Sequence, residues 1–141
     1  MKVRRAVSDE DLTTCLAIRR VVFIEGQDVP EHEEVDGRDP ECLHYLLHKD
    51  GTALATARVL PKGSDAKIQR VAVLEAVRLT GLGSVLMHAI LADLAKNHSV
   101  ARAVLGSQTH AIGFYEKLGF TAHGPEYDDA GIPHRDMTRT L

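Results

Sequence analysis

The residues whose types and spacing most clearly suggest a binding site form a glycine-containing turn. Arg78 is followed at short spacing by Gly81 and Gly83, and an apolar periodicity predicts a helix from Ser84 to about Ala95. Glycine has no Cβ, so a ligand can approach its backbone closely. The first N–H groups of a helix have no partner within the helix and can bind phosphate oxygens. The turn is therefore predicted to hold a diphosphate, and a simple helix cap with two glycines is the alternative.

Two familiar phosphate-binding patterns do not fit this turn. The dinucleotide fingerprint would need a glycine where Leu79 stands, and the chain contains no Gly-Lys-Ser or Gly-Lys-Thr tripeptide of the ATP-binding type. A short β-branched run, Gln69 to Val73, precedes the turn. What remains is Arg-x-x-Gly-x-Gly between a strand and a helix.

The composition is that of a globular protein and excludes several kinds of partner. The chain has 141 residues, of which 44% are hydrophobic and 26% charged, with a formal net charge of −3. These values predict one domain, residues 1–141, and give no case for a nucleic-acid or membrane partner. Cys15 and Cys42 lack metal-ligand spacing, and His44 and His48 are predicted to share a strand face, so we expect no metal site. Two unpaired thiols and no signal-peptide pattern predict the cytoplasm.

The elements that position these residues follow from periodicity and turn signals. Helices are predicted from the Ser8 cap to about Ile24, from Ser84 to Ala95 and over Ala111–Leu118. Residues 26–41 are predicted to form a long irregular loop, and Asp50-Gly51 predicts a hairpin. The predicted strands are Lys2–Arg4, His44–His48, Thr52–Leu60, Ile68–Val73, Ala103–Leu105, Phe120–Ala122 and His134–Thr138. This order predicts an α/β protein with a mixed sheet, helices on both faces, and a parallel connection through the helix from Ser84.

Two signatures together give the chain a family resemblance. The turn Arg78 to Gly83 after the strand Gln69 to Val73, and the run Ala111 to Phe120 with its Tyr115 and Gly119-Phe120, resemble the GNAT superfamily of N-acetyltransferases. The resemblance implies the acyl-CoA N-acyltransferase fold, with a central mixed, mostly antiparallel sheet.

Three further segments are similar to the ElaA/YjcF-like branch of that superfamily. They are Val22 to Pro30, Gln108 to Ala111, and Asp129 to His134. One departure is Gly26, where that branch usually has a second glutamate. The departure removes a carboxylate that a substrate could otherwise contact.

The resemblance implies acetyl-CoA as the co-substrate and assigns the residues that bind it. The strand residues Val71, Ala72 and Val73 would lie along its pantetheine arm, and their N–H groups are the expected donors to the carbonyl oxygen. The remaining predicted contacts are Arg78, Leu79, Thr80, Gly81, Leu82, Gly83, Ser84 and Phe114.

Family position also assigns two proton-transfer residues. Tyr115 would protonate the departing thiolate, since a phenol stays protonated at neutral pH. From residue type and spacing alone, Tyr115 is better explained as a core residue. His134 is the predicted base, because a neutral imidazole accepts a proton near physiological pH. The Pro133-His134 pair resembles the catalytic segment of glyphosate-type N-acetyltransferases, and a surface histidine at a strand end is the alternative.

The substrate side is predicted to include Gln27, Arg70 and Gln108. Of the substrate-binding arginines in glyphosate-type enzymes only Arg70 is matched, because Ile24 and Gln108 stand at the other two positions. We therefore expect a neutral or cationic amine rather than a small dianion. The acidic loop from Glu31 to Asp39 is interpreted as solvated, with attraction of a cationic amine as the alternative.

The sequence thus predicts an acetyl-CoA-dependent N-acetyltransferase. It would move the acetyl group to an amine of a small molecule or peptide by direct attack in a ternary complex, because no cysteine lies near the motifs. The alternative is a catalytically weak CoA-binding regulatory module. The sequence leaves open whether the protein forms a homodimer.

Overall fold

A computed structural model describes residues 1–141 and contains one seven-stranded sheet. The strands are β1 Lys2–Ala6, β2 Leu43–Lys49, β3 Thr52–Lys62, β4 Asp65–Val73, β5 Arg102–Gln108, β6 Thr121–Asp129 and β7 Ile132–Thr140. The α-helices are α1 Asp9–Arg19, α2 Glu31–Glu34, α3 Leu82–Ala95 and α4 Ile112–Glu116. A π-helical segment Arg20–Glu25 continues α1, and short 3₁₀ turns occupy Asp39–Glu41, Glu75–Val77 and Thr109–Ala111.

The sheet order is β1-β2-β3-β4-β5-β7-β6, and every neighbouring pair is antiparallel except β4 and β5. Helix α3 makes the crossover between these two parallel strands, as predicted. The predicted mixed, mostly antiparallel sheet is confirmed. No helix is both long enough and apolar enough to cross a lipid bilayer.

Alternation along the strands divides the apolar residues between the two faces of the sheet. On β2, Tyr45 and Leu47 belong to a core of 19 buried residues that includes α3 and α4, whereas Leu46 belongs to a second core of six. The second core receives Cys15 and Ile18 from α1. Because successive strand residues point to opposite faces, the helices pack on both faces of the sheet.

Two turn predictions are confirmed in detail. The Ser8 hydroxyl accepts a hydrogen bond from the Asp11 N–H at 3.1 Å and caps α1. Asp50 and Gly51 have φ values of 52° and 80°, the left-handed pair that a two-residue hairpin turn requires. The predicted loop between β2 and β3 is therefore a tight hairpin.

Two other predictions were wrong in extent. The last two strands are nine residues each, because β6 and β7 form a hairpin around Ala130 and Gly131, with φ values of 54° and 79°. Alanine rarely adopts this conformation, so the turn gave no clear signal. Residues 26–41 are also more regular than predicted, since they contain α2 and a 3₁₀ turn.

The part of the fold that shapes the site is the β4–β5 pair. These strands are in register only at Asp65 with Arg102, Ala66 with Ala103 and Lys67 with Val104. Beyond Lys67 strand β4 stays paired with β3, and beyond Val104 strand β5 stays paired with β7. The two halves of the sheet therefore part, and a wedge opens between them.

Buried ion pairs hold the acidic segment against the sheet. Arg19 and Arg58 are each only 1% exposed. The Arg19 guanidinium donates to Glu34 Oε1 at 2.6 Å and to Asp39 Oδ1 at 2.7 Å. Arg58 donates to Asp36 Oδ2 at 2.6 Å and to the same Asp39 oxygen at 2.9 Å. These three acids are bound to arginines, so the interpretation of the segment as a solvated loop was wrong for them.

We expect Arg58→Met to lower the free energy of unfolding by about 3 kcal/mol, because partly buried Asp36 keeps only a long contact with Arg70 at 3.4 Å and Asp39 keeps only Arg19. The matched control is Arg102→Met, which removes an exposed pair with Asp65 and should cost less than about 1 kcal/mol. Urea unfolding at neutral pH measures both. Equal losses in the two variants would contradict this account.

The Arg58–Asp36 ion pair also predicts that the free energy of unfolding decreases at acid pH. The bond from Arg58 holds the pKa of Asp36 well below its ordinary value. A depressed carboxyl pKa stabilises the folded state above the unfolded value of about 4 and loses that contribution as pH falls. The free energy of unfolding of Arg58→Met should accordingly fall less than that of the wild type between neutral and acid pH.

Candidate active site

The wedge between β4 and β5 is the mouth of a cavity of about 760 Å³. Its walls come from the second half of β4, the turn before α3, the end of β5, α4, and the β6–β7 hairpin. The π-helical segment and the chain after it close one side through Phe23, Gln27 and Val29. The cavity therefore collects most of the segments that the sequence singled out.

Thirteen of the predicted site residues line this cavity: Gln27, Arg70, Val71, Val73, Arg78, Leu79, Gly81, Gly83, Ser84, Gln108, Phe114, Tyr115 and His134. Three predicted residues do not line it. Ala72 and Leu82 are 1% and 3% exposed and pack in the two cores. Thr80 is exposed, and its hydroxyl donates to the Val77 carbonyl.

The turn before α3 leaves backbone donors unpaired beside the cavity, and Gly83 and Ser84 line it. Gly81 caps the helix with φ 85°, in the left-handed region where glycine is favoured. The first helical hydrogen bond runs from Val85 N–H to the Gly81 carbonyl at 3.1 Å. The N–H groups of Leu82, Gly83 and Ser84 have no acceptor within the chain. Such groups at a helix N-terminus suit anionic oxygens.

The edge of β4 also presents backbone groups to the wedge. Leu74 N–H donates to the Leu54 carbonyl of β3 at 3.0 Å, so alternation turns the N–H and C=O of Val73 away from β3. The Val73 carbonyl accordingly accepts from Arg78 Nε at 2.9 Å on the open side. Ala72 shares the direction of Leu74, so its N–H points to β3 and not into the cavity.

His134 is held in one tautomer at the start of β7. Its Nδ1 lies 2.7 Å from the Ile132 carbonyl oxygen, which can only accept, so Nδ1 carries the proton. The imidazole is 9% exposed, and no group of the chain hydrogen-bonds its Nε2. The neutral ring therefore offers an unshared electron pair at Nε2.

Tyr115 is an aromatic core residue whose hydroxyl has no partner in the chain. Its ring meets Phe114 and Phe120 edge to face, at centroid distances of 5.0 and 6.0 Å. Burial raises the pKa of Tyr115 to about 12, so the phenol stays protonated at neutral pH. Phe114 also packs on Gly83, where a Cβ would lie 3.4 Å from the ring. This contact joins α4 to the first turn of α3.

The two predicted glutamines bind each other across the cavity. Gln108 Nε2 donates to Gln27 Oε1 at 2.9 Å, and His110 Nε2 lies 2.7 Å from Gln108 Oε1. All three residues line the cavity, and Gly26 does not. The pairing leaves Gln27 as the end of a short polar chain.

Arg70 is engaged by the segment it faces. It occupies a bulge in β4 with φ 54°, and its Nη2 donates to the Glu33 and Glu34 carbonyls at 3.0 and 3.3 Å. Its Nε lies 3.4 Å from Glu34 Oε1 but makes no hydrogen bond. Burial lowers the pKa of Arg70, with the neighbouring Arg58 charge acting in the same direction. Only part of this guanidinium is therefore free for a ligand.

Tyr127 is a cavity residue that the sequence did not identify. It lies opposite His134 in the β6–β7 register, and the two rings stack with centroids 5.9 Å apart. The spacing alone would place Tyr127 opposite His134 once a two-residue turn at Ala130-Gly131 is assumed, but that turn gave no clear sequence signal of its own. It was missed because the predicted strand ended at Ala122.

Comparison with known proteins identifies the class. Residues 23–141 match the family model for the acetyltransferase (GNAT) domain. The chain belongs to the GNAT acetyltransferase family.

The relatives include members of the predicted branch. The chain is 35% identical to the uncharacterized protein YyaT of Bacillus subtilis, over 100% of this chain and 97% of that one. It is 32% identical to the uncharacterized N-acetyltransferase YjcF of the same bacterium, over 99% of both chains. The crystal structure of Escherichia coli ElaA superposes with a TM-score of 0.87 at 29% identity, over 98% of both chains. The predicted fold and the ElaA/YjcF-like branch are confirmed.

We expect neutral His134 to be the Nδ1–H tautomer, because the Ile132 carbonyl leaves no other place for that proton. Long-range ¹H–¹⁵N correlation spectra at mildly alkaline pH should show a protonated Nδ1 and an unprotonated Nε2. His98, which is exposed and makes no side-chain hydrogen bond, is the internal reference for a free imidazole. A spectrum of His134 that matches His98 would contradict the assignment.

Proposed function

We propose that this protein transfers the acetyl group of acetyl-CoA to an amine by direct attack in a ternary complex. The observation that carries the proposal is one cavity with two complementary groups. His134 Nε2 is an acceptor without a partner in the chain, and the Tyr115 hydroxyl is a donor without one. Acyl transfer to an amine needs one of each.

The binding of acetyl-CoA is supported by the turn before α3. Its pyrophosphate would lie on the unpaired N–H groups of Leu82, Gly83 and Ser84, with the exposed Leu79 backbone and Arg78 beside them. The pantetheine arm would enter the wedge beside Val71 and Val73. There the Val73 N–H, which points away from β3, would face the thioester carbonyl and stabilise the oxyanion.

The reaction then balances with two proton transfers. The amine lone pair attacks the thioester carbon, the C–N bond forms and the C–S bond breaks. His134 Nε2 takes the proton that the amine loses, and the Nδ1–H bond to the Ile132 carbonyl holds the ring while it is charged. The Tyr115 hydroxyl gives a proton to the departing thiolate.

Direct attack is supported by the places of the two cysteines. Cys15 is 1% exposed in the smaller core, and the Cys42 thiol donates to the Arg38 carbonyl at 3.3 Å. Neither lines the cavity. An acetylated cysteine intermediate therefore has no candidate there. The two free thiols also support a reducing compartment, the cytoplasm.

The acceptor is proposed to be a neutral or cationic amine of a small molecule or peptide. A small dianion would need paired cations, but uncharged Gln108 is bound to Gln27 and Arg70 is held by the Glu33 and Glu34 carbonyls. Ile24, at the remaining position, does not line the cavity. The proposal places the whole activity in one domain, residues 1–141.

We expect Gly81→Asp to abolish binding of CoA, because the new carboxylate repels the diphosphate and a side chain at φ 85° strains the turn. The matched control is Gly63→Asp, which adds the same group at φ 60° in the β3–β4 turn, away from the cavity. Isothermal calorimetry with CoA measures both variants. Normal binding by folded Gly81→Asp would defeat the assignment of this turn.

We expect His134→Ala to lose at least about tenfold in kcat/KM together with the limb on which the rate rises with pH. Tyr115→Phe should lower kcat and leave the affinity for CoA nearly unchanged, because the lost contact is made mainly in the transition state. The amine also titrates, so the profile must be measured with acceptors of different basicity. A limb that follows the amine and survives in His134→Ala would exclude His134 as the base.

Acetyl-CoA consumption across a panel of amines supplies the acceptor for these measurements. The panel includes polyamines, amino acids, amino sugars, aminoglycosides, peptides and small phosphonates. Faster turnover of phosphonates than of cationic amines would overturn the proposed substrate class. CoA binding without any turnover stimulated by an amine would indicate a regulatory module instead.

A further inference from the structure

Tyr127 forms one side of the environment of His134. The rings stack at an interplanar angle of 24° with centroids 5.9 Å apart. The phenol ring therefore lies offset against one face of the imidazole, and the Nδ1 of the imidazole is bound to the Ile132 carbonyl at 2.7 Å. The two contacts together fix the plane of the ring and its rotation within the plane.

The hydroxyl group of Tyr127 is also fixed by a contact within the chain. Its hydroxyl donates to Asp136 Oδ1 at 2.9 Å, and Asp136 lies two residues after His134 on β7. Alternate strand residues share a face, so the phenol lies along β7 from His134 to Asp136. Asp136 forms no salt bridge, which leaves the phenol hydroxyl facing an uncompensated carboxylate.

Gly106 makes room for this arrangement. It pairs with Asp136 in the β5–β7 register. A Cβ at position 106 would lie 2.3 Å from the Tyr127 hydroxyl oxygen but 3.6 Å from Cζ, which is an ordinary contact. An alanine at 106 therefore conflicts with the hydroxyl oxygen, whereas its next nearest contacts, with Tyr127 Cζ and Asp136 Oδ1, are of ordinary length. The close contact with Tyr127 accounts for a glycine here, and Gly106 also lines the cavity.

The charges around the stack favour a cation on its imidazole side. Burial raises the pKa of Tyr127, and the nearby Asp136 and Asp129 charges raise it further. A phenol that donates to a carboxylate has an electron-rich face, which attracts an imidazolium. The other titratable groups of the cavity are His110 after β5, Tyr115 of α4, Glu33 and Glu34 of α2, Lys67 and Arg70 of β4, and Arg78 before α3.

We propose that Tyr127 is a positioning residue for the base: its ring holds His134 with Nε2 toward the acceptor amine and stabilises the imidazolium formed during transfer. The inference rests on the proposed role of His134. In this arrangement Asp136 binds the Tyr127 hydroxyl, Gly106 leaves room for it, and the Tyr127 ring positions His134.

The test compares four variants by the pH profile of kcat/KM. Tyr127→Leu removes the ring face, and we expect about a tenfold fall and a limb moved to lower pH by up to about one unit. Tyr127→Phe keeps the ring but loses its bond to Asp136, so we expect a fall of no more than about threefold. Gly106→Ala displaces the hydroxyl and should resemble Tyr127→Leu. The double variant Gly106→Ala/Tyr127→Phe removes the clashing oxygen and should recover to the level of Tyr127→Phe.

Gly113→Ala is the matched glycine control. Position 113 has no atom within 4 Å of a new Cβ and does not line the cavity, so its activity and pH limb should be unchanged. CoA affinity and urea unfolding are measured for every variant. If Gly106→Ala does not fold, the comparison of Tyr127→Leu with Tyr127→Phe still decides.

The outcomes separate this inference from the proposed function. A limb that survives in His134→Ala refutes the base itself, whatever Tyr127 does. If His134→Ala removes the limb but Tyr127→Leu leaves both limb and rate unchanged, only the role of Tyr127 is refuted. A double variant no better than Gly106→Ala would show that position 106 acts without Tyr127 and would also overturn the inference.

Discussion

The early parting of β4 and β5 is the constraint on which the rest of the structure depends. The two strands share three residue pairs and then diverge, each still bonded to its other neighbour. An open strand edge inside a protein leaves unpaired backbone groups, which is costly unless something else binds them. Arg78 satisfies the Val73 carbonyl from one side, and the wedge leaves the matching N–H for a ligand. The cavity is therefore a gap in hydrogen bonding as much as a gap in space. Helix α3 begins beside the cavity because β4 ends there, and the helix then runs back so that the parallel strand β5 can start at the opposite end of the sheet.

A second constraint is the charge held beneath the acidic segment. Few apolar side chains between residues 26 and 41 are available to pin that segment to the sheet, and ion pairs do it instead. Asp39 is shared by Arg19 of α1 and Arg58 of β3, so one carboxylate ties together elements far apart in the chain. Buried charges stabilise little on balance, but their fixed geometry specifies where the segment lies. Arg70, in the bulge of β4, contacts Asp36 of the same network. It therefore links the position of the acidic segment to the wall of the cavity.

Local signals were enough to predict some elements and not others. The turn before α3, the Asp50-Gly51 hairpin and the short helix α4 shortly before Gly119 are governed by neighbouring residues, and the sequence predicted all of them. The β6–β7 hairpin turns through Ala130 in a left-handed conformation, which only the flanking strand pairs can impose. Missing it hid Tyr127. The arginine network was also beyond prediction, because charge counts show neither which acids are buried nor which residues meet across the sheet. Family resemblance supplied Tyr115, whose type and spacing alone indicated only a core residue.

The close approach of Tyr127 to Gly106 also has a consequence for the history of the sequence. The two positions lie 21 residues apart on different strands, and each limits what the other can become. While the hydroxyl is present, its contact with a new Cβ disfavours a side chain at 106 even when no ligand is bound. If Tyr127 is first replaced by phenylalanine, this restriction on position 106 is removed. If Gly106 is replaced first, the new Cβ clashes with the Tyr127 hydroxyl oxygen. Substitutions at these positions are therefore ordered in time, and descendants are expected to vary them as a pair.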